Sequence, residues 1–163
     1  MTNPLRDAVL EIEDHADESG WDARPSVFAL VPTAELLAVQ PELVGEVSDS
    51  TWTPVQQEGV PPEHELESFL SRLGWPEAVV GCAVVMERLM LPAGAEESLP
   101  DDAAQLRRAV RDHPDRMEMR IAAAVLRDGS RHCVARVRGV DGLYEGPDLV
   151  PGLTDALFDT LAD

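Results

Sequence analysis

Apolar and polar residues alternate most regularly between Met117 and Arg138, where two strand-like runs are joined by Arg127-Asp128-Gly129. On the first run the alternating apolar set is Met119, Ile121, Ala123 and Val125, and on the second it is Cys133, Ala135 and Val137. A two-residue Asp-Gly turn would put these two sets on opposite faces of a sheet, because a shift of one residue turns every side chain over. A three-residue loop with Gly129 as the left-handed residue pairs Leu126 with Ser130, Ile121 with Ala135 and Ala123 with Cys133, and is the predicted register. The other face then carries Glu118, Arg120, Ala122, Ala124 and Leu126 against His132, Val134, Arg136 and Arg138, with Glu118 facing Arg138 as a cross-strand ion pair.

Elsewhere the period of the pattern changes. Asn3-Pro4 is a helix start, and Leu5, Ala8, Val9, Ile12 and Ala16 form one apolar stripe that ends near Gly20. Ser26 to Val31 reads as a buried strand, and Thr33 is expected to cap a short helix that stops at Pro41. Residues 42–62 read as mostly irregular, with a short strand possible at Thr51 to Val55. Leu66, Phe69, Leu70 and Leu73 lie at helical spacing, with Gly74 expected just past the helix end. Ala78 to Leu91 is the longest apolar run and is expected to be the central strand, paired with the hairpin. Asp101 or Asp102 is expected to cap a helix bearing Leu106 and Val110, 139–148 reads as a glycine-spaced connector, and Leu153, Ala156, Leu157 and Leu161 mark a final helix.

The fold class predicted is α+β. It has a single antiparallel sheet containing a three-strand meander (about 79–91, 117–127 and 130–138), packed by N-terminal, middle and C-terminal helices. At 163 residues the chain is expected to form one domain over 1–163, with a flexible acidic loop and short helix at 92–116.

Charge narrows the classes of partner. The net charge of −18 argues against nucleic acid and anionic membrane surfaces, which select clustered positive charge. No apolar run approaches the roughly 20 residues of a membrane span, and a cytoplasmic protein is expected. Two cysteines are too few for a disulfide framework, so Cys82 and Cys133 are expected to be reduced core residues. All 13 basic residues are Arg, which excludes Schiff-base chemistry and a phosphate-loop lysine. The charge is uneven: residues 1–77 hold 16 acids and 3 arginines, whereas Arg107 to Arg138 holds nine arginines and four acids.

Candidate chemistry is sparse. His132 and Cys133 are strand neighbours that point to opposite faces, so the imidazole, expected at the surface, does not activate the thiol. Glu11, His15 and Glu18 share a helical face, but no second histidine lies at ligand spacing, and no metal site is predicted. The glycines at 139, 142 and 146 do not match a dinucleotide fingerprint; no cofactor and no catalytic residue is predicted. Arg120, Arg136 and Arg138 on one sheet face are the candidate ligand-binding residues, because like charges there require counter-anions. Those anions are Glu118, Glu87 or a helix carboxylate, a small carboxylate or phosphate ligand, or the acidic N-terminal half of a second subunit. The leading expectation is a non-enzymatic interaction or regulatory module that forms a homodimer or binds a protein partner. The alternatives are a small-anion-binding module and an enzyme with a carboxylate-based site.

Four segments carry a resemblance: Gly74-Trp75-Pro76, Gly81-Cys82-Ala83, Leu126-Arg127-Asp128-Gly129, and Gly146-Pro147-Asp148-Leu149-Val150-Pro151-Gly152-Leu153. At these the chain resembles an uncharacterised family associated with actinobacteria, over most of residues 70–163. The resemblance implies a cytoplasmic single domain and no particular activity. The order of elements is also loosely similar to the secretion-chaperone-like α+β folds, which are commonly dimers.

Overall fold

The computed structural model describes residues 3–43, 51–90, 100–112 and 116–161. Six strands, β1 (Ser26–Pro32), β2 (Trp52–Gln56), β3 (Gly81–Met90), β4 (Met117–Leu126), β5 (Arg131–Val137) and β6 (Tyr144–Gly146), form one antiparallel sheet in the order β2-β1-β3-β4-β5-β6. Among the described residues five α-helices accompany it: α1 (Pro4–Ser19), α2 (Thr33–Val39), α3 (Glu63–Ser71), α4 (Ala103–Asp112) and α5 (Pro151–Thr160). The fold is α+β, with the β3-β4-β5 meander at its centre.

The β4–β5 hairpin has the register that its pattern demands. Ile121 pairs with Ala135 and Ala123 with Cys133. The Leu126 N–H donates to the Ser130 carbonyl at 2.8 Å and the Gly129 N–H to the Leu126 carbonyl at 3.0 Å. Gly129 adopts φ 94°, the left-handed region that lets the three-residue loop close without Cβ strain. At the same end of the sheet Gly81 is required by close approach, because a Cβ there would lie 2.4 Å from the Val125 carbonyl oxygen.

The two faces of the sheet bury two separate cores. One packs Val27, Val84, Met86, Ile121, Val125 and Ala135 against Leu66 and Leu70 of α3 and Leu153 and Leu157 of α5, with Leu161 just beyond. The other packs Phe28, Leu30, Val85, Ala122, Ala124 and Val134 against Leu5, Val9 and Ile12 of α1. The face that is polar at its open end is therefore covered by α1 rather than left to solvent. That explains why the central strands lack a polar side: each has a helix on either face.

Local details refine the sequence reading. Asn3 caps α1, its Oδ1 accepting the Arg6 N–H at 3.2 Å, and Asp102 caps α4, its Oδ2 accepting the Gln105 N–H at 3.0 Å. Thr33 does not cap α2. It is the first helical residue, and its hydroxyl lies 2.6 Å from the Thr53 hydroxyl of β2, where a cross-strand partner outcompetes the local one. The helix expected to run to Leu73 stops at Ser71 with Arg72, not Gly74, next to its end. The connector at 139–148 contains β6, which three residues and flanking glycines made unreadable as a strand. The acidic loop at 92–100, apart from Pro100, and His113-Pro114 lie outside the described residues.

Candidate functional site

Register brings the candidate arginines together. Glu87 of β3, Arg120 of β4 and Arg136 of β5 stand in one row across the strands on the α1 face. Glu118 and Arg138 stand one step further out, the Arg138 N–H donating to the Glu118 carbonyl at 2.9 Å. Two guanidiniums side by side repel unless carboxylates lie between them. α1 provides those carboxylates.

Arg136 binds Glu13 in a two-pronged pair, Nε donating to Oε1 at 2.6 Å and Nη2 to Oε2 at 3.1 Å. Arg120 donates through Nη1 to Asp17 Oδ1 at 2.9 Å and to Glu13 Oε1 at 3.5 Å, and through Nη2 to the Gly20 carbonyl at 3.0 Å. The last contact places a cation at the C-terminus of α1, where the helix dipole favours positive charge. The Trp21 ring closes the site, with the Arg120 guanidinium carbon 4.4 Å and the Arg138 guanidinium carbon 5.6 Å from its centroid. Arg138 donates to Glu118 Oε2 at 2.8 Å and Asp22 Oδ1 at 3.1 Å. The Glu87 carboxylate accepts the Asp22 and Ala23 backbone N–H groups at 2.8 and 2.9 Å.

Burial divides these pairs into two kinds. Glu13 and Arg120 are each 1% exposed, whereas the Arg138 side chain is 41% exposed. The inner pair is a desolvated network in which every group depends on the others. Its hydrogen bond from Arg120 holds the Asp17 carboxyl below the usual carboxylate range, and the hydrogen bond to Glu13 raises Arg136 above its ordinary value. Chemically the arrangement acts as a clamp. An outside anion competes at these arginines with Glu13 and Asp17, each already held at covalently tethered, high local concentration.

Glu13 is absent from the candidates read from sequence, although its position in α1 carries a signal. It lies four residues after Val9 and eight after Leu5, within the apolar stripe of α1, and a carboxylate at such a position is buried with a partner. Asp17 and Trp21 gave no comparable signal.

A second polar network fastens the other end of α1. Arg6 donates to Glu145 through Nε at 2.8 Å and Nη2 at 3.1 Å, and His132 Nε2 lies 3.1 Å from the same carboxylate. Hydrogen bonds from Arg6 first, then His132, hold Glu145 below the usual range. His132, expected at the surface, is 9% exposed, because the face it occupies is roofed by α1. Arg6 and Glu145 are 139 residues apart, so local pattern could not pair them.

The thiols and the acidic helix face are placed separately from both networks. Cys82 and Cys133 are free and buried, on strands separated by β4. Strands two apart lie about 9–10 Å from each other, beyond disulfide reach. Burial pushes the Cys82 thiol up to about 11 and raises Cys133 too. On α1, His15 Nδ1 lies 3.9 Å from Glu18 with both side chains mostly exposed. Among the described residues no group of three or more metal-type side chains converges, and no helix is long and apolar enough to cross a membrane.

Three of the four segments that carry the family resemblance, at 74–76, 81–83 and 126–129, meet at the turn end of the hairpin. Arg127 donates to four carbonyls: Val79 at 2.7 Å, Leu161 at 2.7 Å, Pro76 at 3.1 Å and Trp75 at 3.4 Å. Trp75 Nε1 donates to the Thr160 hydroxyl at 2.9 Å, and Cys82 Sγ lies 3.4 Å from that hydroxyl. These residues join α5, the turn before β3 and the hairpin into one knot. Neither a curated protein nor a solved structure matches the chain. A family model does match over residues 5–162, and the chain belongs to the PPA1309-like protein family.

Proposed function

We propose that this protein is a non-enzymatic, cytoplasmic interaction module that acts as a homodimer, with β6 and its flanking turns as the contact surface. The observation that carries this reading is an apolar edge. Among the described residues six large apolar side chains are exposed, and Val140 (51%), Tyr144 (57%) and Leu149 (41%) fall within one short segment around the last strand of the sheet. Leu149 folds back over Gly146, next to a strand that pairs on one side with β5. An all-antiparallel sheet extends across a two-fold axis without changing its pattern, since each copy offers the same strand running the opposite way. Tyrosine at such an edge offers a large apolar ring and a hydroxyl.

A non-catalytic role is supported by the assignments of the reactive groups. The thiols are held protonated by burial, and His132 is engaged by a carboxylate that Arg6 also holds. Two free thiols suit a reducing compartment.

Two copies each carrying a charge of −18 repel, so an apolar contact between them strengthens as salt rises, opposite to an interface held by ion pairs. Sedimentation velocity at micromolar concentration tests this reading. A dimer favoured by 0.5 M over 0.05 M salt and dissociated by Tyr144→Glu is expected. A monomer at both salt concentrations overturns the reading.

A further inference from the structure

A groove of about 430 Å³ lies between α3 and α5 over the open end of β3, within the roughly 300–1,000 Å³ range of small-molecule sites. Its walls are Leu66, Leu70, Met86 and Leu153, with Arg88 and Glu67 as its charged members. Arg88 is the conspicuous residue. The chain has 31 acids to 13 arginines, and Arg6, Arg120, Arg131, Arg136 and Arg138 each bind a carboxylate. Arg88, half-buried on β3, forms no ion pair among the described residues; its Nη2 reaches the Met86 thioether at 4.0 Å. It pairs across the ladder with Met119, so the cation stands in apolar and thioether surroundings.

We infer that this groove binds a monocarboxylate with an apolar tail, the carboxylate on Arg88 and the tail along Leu66, Leu70, Met86 and Leu153. A guanidinium in apolar surroundings binds a planar carboxylate more strongly than one in water does, and the floor takes up methylenes. The exposed Glu67 on the same groove sets the charge of the head: one negative charge is offset by Arg88, and a second meets repulsion. The ligand is thus a single-headed acid of medium chain length, in preference to a phosphate ester or a dicarboxylate.

Calorimetric titration of the full chain with decanoate, decanol, decyl phosphate and decanedioate, all below their aggregation concentrations, tests the inference. Saturable one-to-one decanoate binding is expected, with decanol, decyl phosphate and decanedioate each at least about tenfold weaker, the scale of one charge-assisted hydrogen bond. Octanoate, two methylenes shorter, should bind about 15-fold more weakly than decanoate, since each buried methylene is worth about fourfold. Arg88→Gln should remove the preference for decanoate over decanol while leaving decanol binding unchanged. Ala156→Trp, which fills the groove from α5, should abolish both, with far-ultraviolet circular dichroism confirming that each variant is folded. Equal binding of decanoate and decanol by the unmodified chain, no saturable decanoate binding, or unaltered decanoate affinity in folded Arg88→Gln overturns it.

Discussion

The two faces of the sheet are closed by different physics. Toward α3 and α5 the contact is apolar, with Leu157 fully buried among Val84, Val125 and other side chains of the core. Toward α1 an apolar patch covers half the helix, and the other half is held by Glu13 and Asp17 on Arg120 and Arg136. The apolar face leaves a solvent-open groove at its rim, between α3 and α5. On the ionic face the constraint is tighter, because each buried charge left without its partner costs several kcal/mol. The comparison teaches that the most charged part of this sheet is its most constrained part, and that solvent-facing opportunity lies on the apolar side and at the β6 edge.

The largest expected effect breaks the ionic face. Arg120→Met leaves Glu13 buried with one cation fewer and should cost about 3–5 kcal/mol in urea unfolding. Hydrogen exchange should then rise first in α1. Leu157→Ala on the apolar face should cost about 2–5 kcal/mol through its cavity, with exchange rising first in α5 and α3. Similar exchange patterns in the two variants would mean that the faces are not separable.

Acid separates the faces without mutation. Asp17 and Glu145 are lowered in the folded protein from ordinary values of 3.8 and 4.5. Their stabilisation is therefore present above those values and is lost as pH falls through and below them. Melting temperature should fall below about pH 4.5, with α1 released before the α3–α5 core, and the fall should be shallower in the Asp17→Asn, Glu145→Gln double variant. The smallest effect is expected at Arg138→Ala. Its pairs with Glu118 and Asp22 are partly exposed and screened by water, so the urea midpoint should barely move, and the small shift should shrink in 0.5 M salt.

What sequence reasoning reached was whatever depended on short separation. The hairpin register followed from two alternating runs and one glycine, and the structure has Leu126 bonded to Ser130 as that pattern requires. The cluster of Arg120, Arg136 and Arg138 followed from the same register. The Glu118–Arg138 pair followed from it too, but which anion met Arg120 and Arg136 did not, because Glu13 and Arg136 are 123 residues apart and nothing in either local pattern encodes α1 crossing that face. The one available clue was a carboxylate inside the stripe of α1, which reads as a buried charge once the stripe is mapped residue by residue. His132 was misplaced for the same reason, since a face roofed by a distant helix reads locally as a solvent face. β6 was missed because three residues show no periodicity.

The arginine cluster holds α1 on the sheet through Glu13 and Asp17. A double-mutant cycle between Glu13 and Arg120 tests it most directly, using Glu13→Leu, Arg120→Met and the pair together in equilibrium urea unfolding. Each single change leaves a buried charge with one partner fewer, Glu13 with Arg136 or Arg120 with Asp17 and the Gly20 carbonyl, and the double change removes both charges at once. The account predicts large single losses and a double variant at least about 2 kcal/mol more stable than their sum implies. Strict additivity of the two losses would contradict it.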